Sequence, residues 1–409
     1  MKHRIKGIIV GVFVFFFFLG EINVYGKEKE EMLSLFAQSA VLMDGDSGRV
    51  LYEKNGQEFM ANASTTKILT CILALESAKL EDEVTVSAYA ASMPDVQMHI
   101  KEGERYRLED LLYALMLESY NDVAVAIAEH VSGSCEKFSQ LMNEKAKSIG
   151  CENTYFVTPN GLDATSKSEH QEEGKEQPFH GTTAKDLALI MRYCIGQSLA
   201  KEKFVEITAT PSRSFADVEQ KRLFYCQNHN SLFNLVEGVI SGKTGFTGKA
   251  GYCYVGAVEK GGKQFIIALL ACGWPGNKNY KWQDCKTLLE YGEREYELCF
   301  VNREIEKIKE KFWCEVINAK RKRIDENVRI LIAGKQNKEE KLLKKAGERI
   351  YIEIKKKTMT APVEIGDAVG ELRYYIDKEL WKKELLYSKE RIEKIDFEWS
   401  INMILEKIV

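Results

Sequence analysis

Histidine, proline and paired cysteine are all scarce in this chain, and each shortage removes a class of site. The 409 residues include six dispersed histidines, and the ten cysteines stand singly, without a CxxC pair or a Cys/His cluster. Metal-ligand spacing is absent, so no zinc site, no Ser-His-Asp triad and no metal or other cofactor is expected. A formal charge of −3 leaves no basic excess, which argues against a nucleic-acid partner. There are only six prolines, no long glycine-serine linker and no internal repeat. What remains is an ordinary globular composition, long enough for two domains with a substantial core.

The first 26 residues read as a targeting segment. Lys2, His3, Arg4 and Lys6 precede the apolar run Ile8–Leu19, and Val24 and Gly26 suit a cleavage site after Gly26. The alternative is an uncleaved anchor, but the run is about a dozen residues, short of the ~20 that span a bilayer. The chain is therefore expected to be exported and to act at the extracytoplasmic face of the membrane or in the cell wall. Export would ordinarily suggest disulfides. Here Cys71, Cys194 and Cys272 sit inside apolar runs, so mostly reduced, buried thiols are expected.

Residues 36–56 predict a hairpin, with alternating apolar positions on either side of Asp44-Gly45-Asp46-Ser47-Gly48. The stretch Thr65–Lys79 is helical and apolar on most sides, which predicts a buried helix. Further helices are expected at Leu108–Ser119, Val123–Val131, Cys135–Ile149 and Thr183–Cys194. Three strands follow at Val239–Thr244, Gly251–Val258 and Gln264–Cys272, with a helix at Asn279–Tyr296. This order predicts an α+β domain, an antiparallel sheet with helices packed on it. Beyond about residue 298, Val328–Ala333, Arg349–Lys355 and Gly370–Ile376 alternate between charged turns, as in a small all-β domain. Ser388–Val409 returns to helical spacing, with Ile392, Ile395, Trp399, Met403 and Ile408 on one face. The expected domains are 27–297, 298–387 and the terminal helix 388–409.

Three short strings carry the chemistry. In Ser64-Thr65-Thr66-Lys67, positions i and i+3 share a helix face, so the Lys67 amine reaches the Ser64 hydroxyl. Burial would lower the lysine pKa and let a neutral amine act as base. In Ser119-Tyr120-Asn121, Ser119 can pass a proton and Asn121 can hold a donor backbone. In Lys243-Thr244-Gly245, Lys243 supplies positive charge, Thr244 a hydrogen bond to a carboxylate, and Gly245 room along a strand edge. Each string is common by itself: S-x-x-K recurs at Ser134–Lys137 and Ser198–Lys201, and S-x-N at Ser400–Asn402. Order and placement are what make them specific, beginning a helix, ending a helix and occupying a strand, about 55 and about 125 residues apart.

With these motifs the chain resembles the serine D-alanyl-D-alanine carboxypeptidases, the low-molecular-weight penicillin-binding proteins, most nearly their spore-forming clostridial branch. Ala63–Thr70, Thr158–Asp163, Ser241–Cys253 and Ala361–Gly366 carry the resemblance, which spans roughly residues 35–385. It implies a penicillin-binding/β-lactamase-like domain, an antiparallel sheet with a helical subdomain, followed by a small C-terminal β domain. It implies catalytic roles for Ser64, Lys67 and Ser119, and substrate binding by Asn121, Lys243, Thr244 and Gly245. The oxyanion hole would be the backbone N–H groups of Ser64 and Phe246. The implied substrate is a peptidoglycan stem peptide ending in D-Ala-D-Ala, with β-lactams as covalent inhibitors. Two positions depart from the pattern: Tyr120 is bulky where many relatives have a small residue, and Phe246 replaces a frequent polar one.

A β-lactamase is disfavoured, because no E-x-x-x-N string lies between Ser119 and Lys243. A D,D-endopeptidase or transpeptidase would share the core residues, and a non-catalytic wall-binding protein would not need them intact. The resemblance also suggests membrane contact through 388–409. Four basic residues there face five acidic ones, so docking on a partner or on the β domain stays open. Lys320-Arg321-Lys322-Arg323 reads as a solvated strand end, with anionic wall polymers as a lesser possibility.

Overall fold

The computed structural model describes residues 32–94, 96–165, 179–320, 328–333 and 340–408. The segment expected to direct export, and positions 321–323 of the basic run, lie outside these residues.

The predicted hairpin forms from Ser39–Asp44 and Val50–Lys54, paired antiparallel. It joins a five-stranded sheet in the order Val50–Lys54, Ser39–Asp44, Lys263–Leu270, Gly251–Lys260, Val239–Thr247. The three inner strands are mostly apolar because both faces are covered. Val41, Met43, Ile266, Ala268 and Leu270 pack toward the helical cluster. Leu42 and Phe265 point the other way and meet Gly292 in the helix Tyr280–Glu295, where a Cβ would lie 2.7 Å from the Phe265 ring.

The helical cluster surrounds Lys67–Ser77, whose Ile68, Leu69, Cys71, Ile72 and Leu73 are fully or almost fully buried. Each large aliphatic side chain buried in this way contributes about 1.5–3 kcal/mol. The neighbours are Leu108–Leu117, Asn121–Ser132 and Cys135–Ile149. Gly133 ends the second of these in the left-handed region at φ 82°, and Ser134 caps the third by accepting the Lys137 N–H. Thr183 caps Ala184–Arg192, accepting from Asp186 N.

The C-terminal residues build a six-stranded sheet in the order Ile350–Lys356, Ala368–Ile376, Glu379–Ser388, Val328–Ala333, Trp313–Ile317, Met359–Thr360. Its core holds Cys314, Ile330, Ile332, Val363, Val369, Leu372, Tyr374 and Leu386. Two strands that the sequence reading did not mark, and one correction to it, arise here. Glu379–Ser388 and Lys341–Lys345, rich in lysine and glutamate, are strands. The terminal helix begins only at Phe397. Residues before it are extended, with Ile392 bridged to Val363 and Lys394 to Ala319, so Ile392 belongs to the β domain and not to a helical face.

The two halves are joined at the predicted hairpin turn. Buried Asp44 accepts from Leu343 N at 2.9 Å, and Arg49 forks onto Glu348 at 2.5 and 2.7 Å while donating to Leu343 O. This pair is mostly shielded from solvent, so Arg49→Ala is expected to cost about 2 kcal/mol. The check is a lowered denaturation midpoint. All ten cysteines lie among the described residues, none of them in a disulfide, and seven of them are buried. Among the described residues no helix is long and apolar enough to cross a membrane.

Candidate active site

The edge strand Val239–Thr247 has a neighbour on one side only, and its other edge faces the one-turn 3-10 helix Ala63–Thr66. Ala63 enters that turn at φ 48°, an uncommon conformation for a residue with a side chain. Ser64 does not cap the helix that follows, unlike Ser134 in the second S-x-x-K string. In the third string, Ser198 is occupied by Glu76. The Ser64 hydroxyl instead lies 2.8 Å from the Lys67 amine.

Lys67 is fully buried, and its amine also donates to Asn121 Oδ1 and to the carbonyl of Asn160, each at 2.8 Å. Burial holds its pKa well below the usual lysine value, the Lys243 charge pushes the same way, and Asp122 opposes them. A neutral amine has two hydrogens and one lone pair. Asn121 and Asn160 take the hydrogens, which leaves the lone pair for the Ser64 O–H.

Ser119 lies just past the helix Leu108–Leu117, at φ 70°. Its Oγ is buried with no hydrogen-bond partner among the described residues. A strained residue with an unmet hydroxyl marks a place where a ligand group would complete the site. The turn after it is fixed by Asn121, whose N–H donates to Val96 O and whose Nδ2 donates to Pro94 O. Asp122 accepts from Met98 N and Ile100 N, binding the 96–100 segment to the same turn.

On the opposite wall, Lys243 is buried and donates to Thr244 O at 3.1 Å. Burial pushes its pKa down to about 7, with Glu118 opposing. Glu118 is itself held by His229 at 2.7 Å and by Gln227 N at 2.6 Å. Thr244 is half-buried beside it. At Gly245 a Cβ would lie 2.9 Å from Ser64 N and 3.0 Å from Thr65 N. The room this glycine leaves is therefore used by the backbone of Ser64 and Thr65. Phe246 is 41% exposed, its ring 4.7 Å from that of Tyr252, and Tyr120 is half-buried.

Asn160 and His180 were not singled out as site residues by the sequence. Pro159-Asn160-Gly161 had the composition of a turn, but a backbone carbonyl serving a lysine leaves no residue-type signature. Gly161, at φ 83°, is required because a Cβ would lie 2.0 Å from Ala63 O. His180 is buried against Thr66, and Asn62 packs with them.

The comparisons with known proteins agree with this geometry. The family model for D-alanyl-D-alanine carboxypeptidase matches residues 26–272, and that for the penicillin-binding protein 5 C-terminal domain matches 319–394. D-alanyl-D-alanine carboxypeptidase DacF of Bacillus subtilis is 31% identical over 409 residues, covering 97% of this chain and 96% of that protein. Penicillin-binding protein 5 of Haemophilus influenzae superposes with a TM-score of 0.68 at 22% identity, over 89% of this chain and 99% of that one. Penicillin-binding protein D2 of Listeria monocytogenes, solved in its cefotaxime-bound form, gives 0.53 at 27% identity over 64% of this chain and all of that one. The motif order, the catalytic-domain match and full-length similarity together place this chain in the D-alanyl-D-alanine carboxypeptidase family, peptidase family S11.

Proposed function

We propose that this protein is a serine D,D-carboxypeptidase that removes the terminal D-alanine from peptidoglycan stem peptides through an acyl-enzyme on Ser64. The observation that carries the reading is the buried Lys67 amine, 2.8 Å from Ser64 Oγ and donating to Asn121 Oδ1 and Asn160 O; in its neutral form the lone pair is left for the Ser64 O–H. The stem peptide lies along the free edge of Val239–Thr247, with its carboxylate on Lys243 and Thr244 and its backbone held by Asn121. Ser64 attacks the carbonyl between the last two D-alanines as Lys67 takes its proton. The oxyanion sits on the N–H groups of Ser64 and Phe246, where each donor is worth about 3–4 kcal/mol. Ser119 relays the proton to the departing amine, and water then hydrolyses the ester. A β-lactam acylates the same serine.

In this reading residues 27–297 form the catalytic domain and 298–387 the β domain, both outside the cytoplasm. The helix Phe397–Ile408 exposes Phe397, Ile401, Ile404 and Leu405, one stripe at helical spacing, as a peripheral membrane contact. Cosedimentation with phosphatidylglycerol vesicles is expected to fall when Phe397 and Ile404 are both changed to Ser; equal sedimentation excludes this contact.

The activity is tested with diacetyl-Lys-D-Ala-D-Ala and with labelled penicillin. D-Alanine release together with a covalent adduct is expected, and absence of both sinks the proposal. Cross-linked muropeptides in the same assay separate carboxypeptidase from endopeptidase action.

A further inference from the structure

We propose that His180 is a positioning residue for acylation, holding the segment that presents the Asn160 carbonyl to Lys67 and bracing the turn that presents Ser64. The inference rests on the acyl-enzyme reading above and adds to it a residue that touches neither substrate nor nucleophile.

The geometry fixes the direction of every hydrogen bond around this ring. His180 Nδ1 accepts from Val157 N at 3.0 Å and from Thr158 N at 3.2 Å. The proton therefore sits on Nε2, which donates to Thr66 Oγ1 at 2.8 Å. Thr66 Oγ1 also receives Asn62 Nδ2 at 3.0 Å and passes its own hydrogen to Ala63 O at 2.8 Å. One imidazole thus ties the Val157–Asn160 segment to the strained residue immediately before the nucleophile. His180 is 2% exposed, and burial, with the nearby Lys67 amine, pushes its pKa down to about 3. It stays neutral at working pH, which two backbone N–H groups aimed at one ring nitrogen require. A proton on Nδ1 would strand both of them in a dry site.

The same segment has a second, independent tie: Thr70 Oγ1 donates to Pro159 O at 2.6 Å. Loss of the His180 contact would therefore tilt the segment without releasing it. The consequence falls on Lys67, which is faced by Lys243 from the edge strand, Asp122 from the helix Asn121–Ser132 and neutral His180. A carbonyl acceptor favours the ammonium form of an amine. Moving the Asn160 carbonyl away removes that support, misplaces the lone pair and lowers the pKa of Lys67 further.

Two isosteric variants separate the halves of the ring. His180→Asn places an amide oxygen where Nδ1 lies and keeps the bonds to Val157 and Thr158. His180→Gln keeps a donor to Thr66 and loses those bonds. The measurement is the rate of labelled-penicillin acylation against pH on full-length protein, with a melting curve for each variant. His180→Gln is expected to acylate about tenfold more slowly, the worth of one good hydrogen bond, with its acid limb at lower pH than the native limb. His180→Asn is expected to keep the native limb. Identical profiles for the two variants, or a slower His180→Gln whose limb is unmoved or raised, overturn the inference. If His180→Gln does not fold, Thr70→Val tests the same segment from its other tie, the bond to Pro159 O: a lowered limb supports the inference, and an unmoved one overturns it. If native protein forms no adduct, it is the acyl-enzyme reading that fails.

Discussion

Lys67→Met is expected to slow acylation of Ser64 by about 10²–10⁴-fold, the usual worth of a positioned general base. Ser64→Ala is expected to abolish the penicillin adduct and D-alanine release altogether. The size of the lysine effect follows from how completely the amine is committed. Its two hydrogens are held by Asn121 Oδ1 and Asn160 O, and its lone pair has no polar neighbour better placed than the serine hydroxyl. Methionine fills a similar volume without the base. Arginine does not rescue, because a guanidinium stays protonated and has no lone pair to offer. Acylation in Lys67→Met within tenfold of native would mean that another group takes the proton, and Ser119 would be the first to examine, since its buried Oγ has no hydrogen-bond partner among the described residues.

The second large effect is expected at Lys243. Removing one partner of a buried, hydrogen-bonded charge pair costs about 2–5 kcal/mol. Lys243→Ala should therefore lower kcat/KM for a substrate with a free carboxylate by about 30-fold or more. A substrate with an amidated C-terminus should lose much less. The same residue shapes the pH profile. Lys67 must be neutral to accept a proton, so activity is lost as pH falls below its depressed pKa. Lys243 must be charged to bind the carboxylate, so activity is lost as pH rises above its own. In the free enzyme burial has pushed Lys243 down to about 7, and the two amines repel each other's protons, so the two limbs belong to the pair. The basic limb of kcat/KM, which reports free enzyme, should lie well below the ordinary lysine range. In kcat it should move up, because the bound carboxylate stabilises the ammonium. Coincident basic limbs in the two profiles would contradict this role.

Periodicity made much of the catalytic half legible. The hairpin, the buried nucleophile helix and the three strands ending at the active-site edge appear where apolar spacing placed them, because covered faces force apolar residues into register. Elements with one wet face were harder to see. Glu379–Ser388 and the hairpin Ser212–Ala216 with Leu223–Gln227 carry mostly polar or exposed side chains, so their pairing is set by backbone bonds that residue types do not report. The terminal helix was read nine residues too early because Ile392 fits a helical stripe. Its actual neighbour is Val363, bridged to it from another part of the β domain.

The sequence by itself picked out the candidate reacting groups and their order: Ser64 and Lys67 three residues apart, Ser119 and Asn121 just past a helix, Lys243 to Phe246 along a strand. Local geometry settles such spacings, since i and i+3 on a helix meet wherever that helix is buried. Only the tertiary structure decided the surroundings and aim of those groups. The carbonyl of Asn160 reaches Lys67 across 93 residues of sequence. Burial sets the two lysines against their ordinary charge, and Gly245 makes room for the amide of Ser64. Desolvation and backbone hydrogen bonding are properties of assembled surroundings, and they bring three common strings together into one candidate site.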